Sequence, residues 1–236
     1  MTKTFKQFLE EKENLTFDGL LRGDCSDFFK RSQQNGLIVR GMNGAGSLVG
    51  NMSLGEKFPG VTFNVFKKTV RKERKPMDTA KAIHGIIDDW FEEEMGIRAR
   101  SQAVFCFGEA GRENAYEYGQ VAVILPIGKF TYVWSPKVAD LYDDVIRKEL
   151  QTNTKDHGTP GELQKEFVGS DGKPDVEAIG ELMNGLGYTI NGFDKAVGMA
   201  VEIMIDCDEY YVIPLANDKE NRDLQLGVIK KAFVDL

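Results

Sequence analysis

Glu202, Arg40 and Ser101 are the residues whose types and settings invite chemistry. Glu202 is the single carboxylate in the apolar run Val201–Ile205. Burying a carboxylate in such company is costly unless it is hydrogen-bonded or used. The plain alternative is a solvent-facing Glu on an alternating strand. The run continues through Asp206-Cys207-Asp208 into the aromatic, β-branched Tyr210–Ile213, so the stretch predicts a hairpin. Arg40 stands near the end of a predicted strand, Leu37–Met42. A guanidinium placed there salt-bridges a carboxylate or grips a phosphate bidentately. Arg100 and Ser101 lead into Ala103–Phe107, a buried-strand run, where either is an anion or ligand contact or simply structural.

Glu202, three apolar residues, a turn and the aromatic Tyr210, preceded far upstream by Leu37-Ile38-Val39-Arg40-Gly41, resemble the ADP-ribosyltransferases, with T4-like bacteriophage members nearest in character. The resemblance covers those motifs and the middle strand, not the whole chain. It implies an α+β fold: a split mixed β-sheet of ADP-ribosyltransferase type with flanking helices. It also implies NAD as substrate, cleaved between nicotinamide and ribose. Glu202 would be the catalytic carboxylate, stabilising positive charge on the ribose. Arg40, with Gly41, would fix the phosphates or the adenosine ribose. Ser101 would orient Glu202 or the carboxamide, with Arg100 as the alternative anion contact. Phe105 or Tyr210 would shield the nicotinamide ring. Arginine-modifying members carry a second Glu two residues before the catalytic one, and nucleic-acid-modifying members often carry Gln; here Ala200 stands there. The acceptor implied is a host protein or nucleic acid, met in the host cytoplasm, with packaging in a virion as a further location. From a different class comes a non-enzymatic phage protein, a virion component or an inhibitor that binds a host enzyme.

A second motif fails on context. Gly44-Ala45-Gly46-Ser47-Leu48-Val49-Gly50 follows a strand, as a dinucleotide fingerprint does, but no helical period follows it. It reads as a mobile loop. The segment Lys67–Lys75 is the one basic cluster, either a solvated strand end or a patch facing phosphate or a target. The chain as a whole is acidic, with a net charge of −7, which argues against broad phosphate-backbone binding. Cys25, Cys106 and Cys207 are widely separated and there are only 2 histidines, so no zinc site or other metal is expected, and a reduced, intracellular protein is. No apolar run approaches the ~20 residues of a membrane helix, and no membrane partner is expected.

These groups need a scaffold of mixed elements. The 236 residues divide into a polar, amphipathic segment over 1–20, with Phe5, Phe8 and Leu9 on one helical face, and a single domain over 21–236. Strands are predicted at Leu37–Met42, Val61–Val70, Ala103–Phe107, Gly119–Pro126 and Lys129–Trp134, the last two as a pair turning at Ile127-Gly128. Helices are predicted near Ser26–Phe29, over Asp78–Met95 and Pro136–Leu150, and from Val176 to Met183. Residues 151–174 read as a loop or hinge, and Leu224–Leu236 as a strand.

Overall fold

Alternation of β-branched and aromatic residues builds one large sheet from β1 (Leu15–Thr16), β2 (Ile38–Met42), β3 (Ser47–Ser53), β4 (Thr62–Thr69), β5 (Val104–Gly108), β6 (Gln120–Pro126), β7 (Thr131–Trp134), β10 (Glu202–Asp206) and β11 (Glu209–Pro214). β8 (Gln151–Thr152) and β9 (Glu162–Leu163) form a separate small pair. The computed structural model describes residues 15–44, 46–76, 79–152 and 161–236. The strand order is β1-β3-β4-β11-β6-β2-β5-β10-β7, antiparallel throughout except for the parallel β1–β3 pair. The fold is therefore α+β, with a mixed sheet and flanking helices.

The sheet is not uniformly knit. β2 stays in register with β6 from Ile38↔Ile124 to Met42↔Gln120, but meets β5 only at Ile38↔Gly108 and Val39↔Phe107. Beyond Val39 the two strands part. This parting falls at Arg40.

Both expected hairpins are overturned. β10 pairs with β5 and β7, while β11 pairs with β4 and β6. β6 and β7 are likewise far apart in the strand order. The links 127–130 and 207–208 carry the chain from one part of the sheet to another. Their backbone groups bond to neighbours other than the strand just left: Val70 N–H donates to the Asp208 carbonyl at 2.9 Å and Ile127 N–H to the Glu209 carbonyl at 3.0 Å. Lys72 clamps the second link, donating to Asp206 Oδ1 at 2.8 Å and the Cys207 carbonyl at 3.2 Å.

Helices cover the sheet in two groups. The larger core joins the sheet to α1 (Phe17–Arg22), α2 (Ser26–Ser32) and α8 (Lys219–Val234) through Leu21, Phe28, Ile229 and Phe233. The second core lies under α3 (Lys81–Met95), the π-helix Tyr142–Leu150 and α6 (Val176–Gly185), with Ile87, Phe91, Ile146 and Met183 packed near Val133 and Met204. Of the short helices, α4 (Ala99–Gln102) puts Ala99 into the second core, while α5 (Arg112–Tyr116) and α7 (Phe193–Ala196) put Ala115, Phe193 and Ala196 into the larger one.

Several boundaries differ from expectation for identifiable reasons. The C-terminus is helix α8, not a strand: Asp218 caps it by accepting from Asn221 N–H at 2.9 Å, and Leu226, Ile229 and Phe233 repeat at helical spacing into the core. Residues 136–140 are not helical; Ser135 Oγ donates to the Leu186 carbonyl at 2.6 Å and ties the start of the segment to the chain beyond α6. Helix α3 starts at Lys81; the expected cap Asp78 lies outside the described residues, as do residues 1–14 with their amphipathic face. Ser47–Gly50 of the glycine-rich stretch lie in strand β3, paired with β4, rather than in a mobile loop. The expected hinge is partly regular, with β8 on β9 and a Val168–Pro174 bridge, although 153–160 lie outside the described residues.

Gly41 shows how tightly the elements approach. A Cβ there would lie 1.9 Å from the Ala115 carbonyl oxygen. Gly41→Ala is expected to cost roughly 3 kcal/mol, the upper range of overpacking, in urea denaturation. Gly85→Ala, mid-helix with no atom within 4 Å of the new methyl, should instead gain about 0.5–1 kcal/mol.

Candidate functional site

Glu202 opens β10 in the row Val39–Phe107–Glu202 across β2, β5 and β10. Its strand ends the apolar side of the second core, so the carboxylate is only 6% exposed. Segment 139–141 lies against it: Glu202 N–H donates to the Ala139 carbonyl at 2.9 Å, and Leu141 N–H donates to Glu202 Oε2 at 3.1 Å. Burial, then the nearby Asp140 carboxylate, push Glu202 up to about 8; the Leu141 N–H, Arg100 and Arg74 pull the other way. Asp140 accepts from the Tyr118 hydroxyl at 2.7 Å and from Tyr142 and Asp143 N–H at 2.8 and 3.0 Å. The Tyr118 ring stacks on Phe107 with 6.2 Å between centroids.

Arg40 follows Val39, so strand alternation starts it on the face opposite Glu202. Where β2 and β5 part, its side chain turns into the opening, and Nη1 donates to the Phe105 carbonyl at 2.5 Å. Phe105, partly exposed, carries two more guanidiniums: Arg74 Cζ lies 3.8 Å and Arg100 Cζ 5.4 Å from its ring centroid. Arg74 is held by its N–H on the Ser101 carbonyl at 3.0 Å. Among the described residues, none of Arg40, Arg74 and Arg100 has a carboxylate oxygen within 4 Å. Burial, then Arg40 and Arg100, bring Arg74 down to about 10, against the pull of Glu202 and Tyr210. Arg74 thus lies within electrostatic range of both Arg40 and Glu202.

The expected contacts fare unevenly. Glu202, Arg40, Arg100 and Phe105 share one neighbourhood. Ser101 does not reach Glu202: its hydroxyl donates to Asp88 Oδ2 at 2.5 Å, while Arg100 and Ser101 N–H both donate to Asp88 Oδ1. Asp88 thereby fixes helix α4, so Ser101 positions the chain that carries Arg100. Gly41 is closed off by the turn at 115–118. Tyr210 is buried on β11, where Arg40 favours its ionised form against the larger effect of burial; Phe105 is the ring that the guanidiniums face.

Sequence reasoning missed Asp140, Tyr188 and the buried His84, and did not single out Arg74. Arg74 lay within the basic cluster Lys67–Lys75, and nothing in that run distinguishes it from its neighbours. The Tyr188 hydroxyl is buried without a hydrogen-bond partner among the described residues, and burial, then Glu202, raise it. His84 is also buried, brought down to about 4 by burial and then Arg100. The groove by the two links, lined by Arg31, Lys72, Lys129, Phe130, Asp206 and Asp208, includes none of these residues and lies at the other end of β10 from Glu202. Among the described residues no cluster of His, Cys, Asp and Glu is placed to hold a metal, all three cysteines are free, and no helix is long and apolar enough to cross a membrane.

No protein-family model, curated protein or solved structure matches the chain.

The raised Glu202 has a thermodynamic consequence. The folded chain holds this proton up to about 8 while the unfolded chain releases it near 4.5, so its contribution to stability is full below 4.5 and is lost as pH rises to about 8. Glu202→Gln removes that loss and leaves an acceptor for Leu141 N–H. The variant's Tm should match the wild type near pH 4.5 and exceed it increasingly up to pH 8, as read by calorimetry across that range.

Proposed function

We propose that the chain transfers ADP-ribose from NAD to a host macromolecule, protein or nucleic acid, and releases nicotinamide. One observation carries the reading. The strands bearing or following Arg40, Ser101 and Glu202 are neighbours, β2–β5–β10, and guanidiniums with no ion pair among the described residues gather where the first two part. An opening that collects cations in a chain of net charge −7 suits a diphosphate.

In this reading Arg40 takes the phosphates at the β2–β5 opening and Phe105 receives a planar ring. That fixes the glycosidic carbon in one pose. The bond from ribose C1′ to the nicotinamide nitrogen breaks, and its electron pair leaves with nicotinamide. The positive charge that remains on the ribose is stabilised by Glu202 as carboxylate. The acceptor's nucleophile then adds to C1′ and gives up its proton. Ser101 acts indirectly, through Asp88 and α4. Ala200 leaves no acid two residues before Glu202, which disfavours an arginine acceptor.

A non-enzymatic role, as a virion component or an inhibitor bound to a host enzyme, is favoured by one fact: Glu202 is buried and already bonded to Leu141 N–H. Incubation with host lysate and NAD labelled in its adenylate part separates the two. The transferase labels an acceptor and releases nicotinamide; a pure binder does neither. Glu202→Gln should lower turnover by roughly a hundredfold or more with the fold intact. Because the carboxylate form is required, wild-type kcat/KM should rise with pH and level off above about 8. Equal turnover in the variant removes Glu202 from the chemistry.

A further inference from the structure

Arg74 is unexplained by the motifs that led to this site. It lies beyond the end of β4, in segment 70–76, and no motif residue predicts it. Its guanidinium rests on Phe105 at 3.8 Å while two other guanidiniums approach the same ring and opening. Like charges gathered without a carboxylate in contact destabilise one another. Lys68 adds to the field: burial, then Arg40 and Arg71, lower it, and its Nζ is turned away onto the Gly44 carbonyl at 2.7 Å. Arg100 is 6% exposed, and among the described residues its Nε has no hydrogen-bond partner. A buried donor of that kind calls for an acceptor. Arg40, Arg74 and Phe105 are all partly exposed, so a ligand can reach them from solvent.

We propose that Arg74 is a diphosphate ligand: in the free protein it is parked on Phe105, and a nucleoside diphosphate draws it off the ring into the opening beside Arg40. The proposal deepens the dinucleotide reading of this site and rests on it for the choice of a nucleotide over a bare anion. The aromatic face vacated by Arg74 then receives a planar group. Two phosphates meet Arg40 and Arg74, with Arg100 as the buried third cation. Arginine suits this better than lysine, because its planar fork both stacks on a ring and bonds two phosphate oxygens.

The test uses the full chain with ADP, inorganic pyrophosphate and inorganic phosphate as probes, titrated by calorimetry. ADP should bind more tightly than pyrophosphate, and pyrophosphate more tightly than phosphate. Arg74→Ala should weaken ADP by on the order of tenfold to a hundredfold, and Arg74→Lys by an intermediate amount. The Tm of Arg74→Ala without ligand should equal or exceed the wild type, since one of three mutually repelling cations is gone. A merely structural Arg74 would instead lower the Tm. ADP affinity in Arg74→Ala within about twofold of wild type overturns the proposal, as does pyrophosphate binding as tightly as ADP. The two readings fail separately. ADP binding that needs Arg74, with no release of nicotinamide from NAD, keeps this inference and removes the transferase. Nicotinamide release that is indifferent to Arg74→Ala does the reverse.

Discussion

The parting of β2 from β5 after Val39 is the constraint on which the rest of the site depends. Up to that point the two strands share a ladder, and the row Val39–Phe107–Glu202 is continuous. Past it, β2 follows β6 and β5 follows β10. The Phe105 carbonyl would otherwise face a strand partner, and the Arg40 guanidinium takes that place. A side chain that alternation aims at one face is thereby brought into an opening shared with residues of the other. The crossing links make the separation possible. Because β6 runs on to β7, and β10 to β11, through links that cross the sheet, each part is completed by strands from distant sequence. Lys72 holds the second link through Asp206 and the Cys207 carbonyl, so part of the basic cluster serves the scaffold while Arg74 serves the opening.

What was legible in the sequence follows from how local each signal is. The apolar runs at 37–42, 103–107, 119–126 and 201–205 announce strands, since β-branched and aromatic density needs no knowledge of partners. Their pairing was not legible. A two-residue link that turns a hairpin and one that crosses a sheet have the same local composition, and only the competition among all strands for partners decides between them. Hence Asp206-Cys207-Asp208 and Ile127-Gly128 both read as hairpin turns, and neither is one. Residues 224–236 misled for a related reason. Their apolar positions do not follow one clean helical period and Gly227 interrupts them, so the helix rests on the Asp218 cap and on tertiary packing of Ile229 and Phe233. At the site, Glu202 and Arg40 stand out because each breaks an apolar run. Arg74 sits among other cations in a polar segment, where nothing local marks which one turns inward.

The electrostatics of Glu202 contain an apparent contradiction. A carboxylate with Arg74 and Arg100 in range would ordinarily titrate low. Here it is raised to about 8, because burial and then Asp140 disfavour its charge while no guanidinium among the described residues comes within 4 Å of it. The arginines are in the mirror condition: crowded, partly desolvated and without ion pairs among the described residues. The acid and the cations are near enough to influence one another and too far apart to neutralise one another.

Such an arrangement is costly in a free protein, since an unpaired buried polar group alone costs about 1–3 kcal/mol. A single simple ion cannot relieve it. An anion satisfies the arginines and leaves Glu202 protonated; a cation does the opposite. A ligand with a diphosphate at one end and a positively charged ring at the other answers both demands together. The diphosphate would neutralise Arg40, Arg74 and Arg100, weakening the field that opposes a cation at Phe105. The cationic ring, arriving near Glu202, would favour the carboxylate over the acid. Binding and ionisation of Glu202 would then be linked, so the catalytic charge appears only when the substrate is in place. NAD carries its charges in this order, and the proposed dinucleotide reading rests on that match.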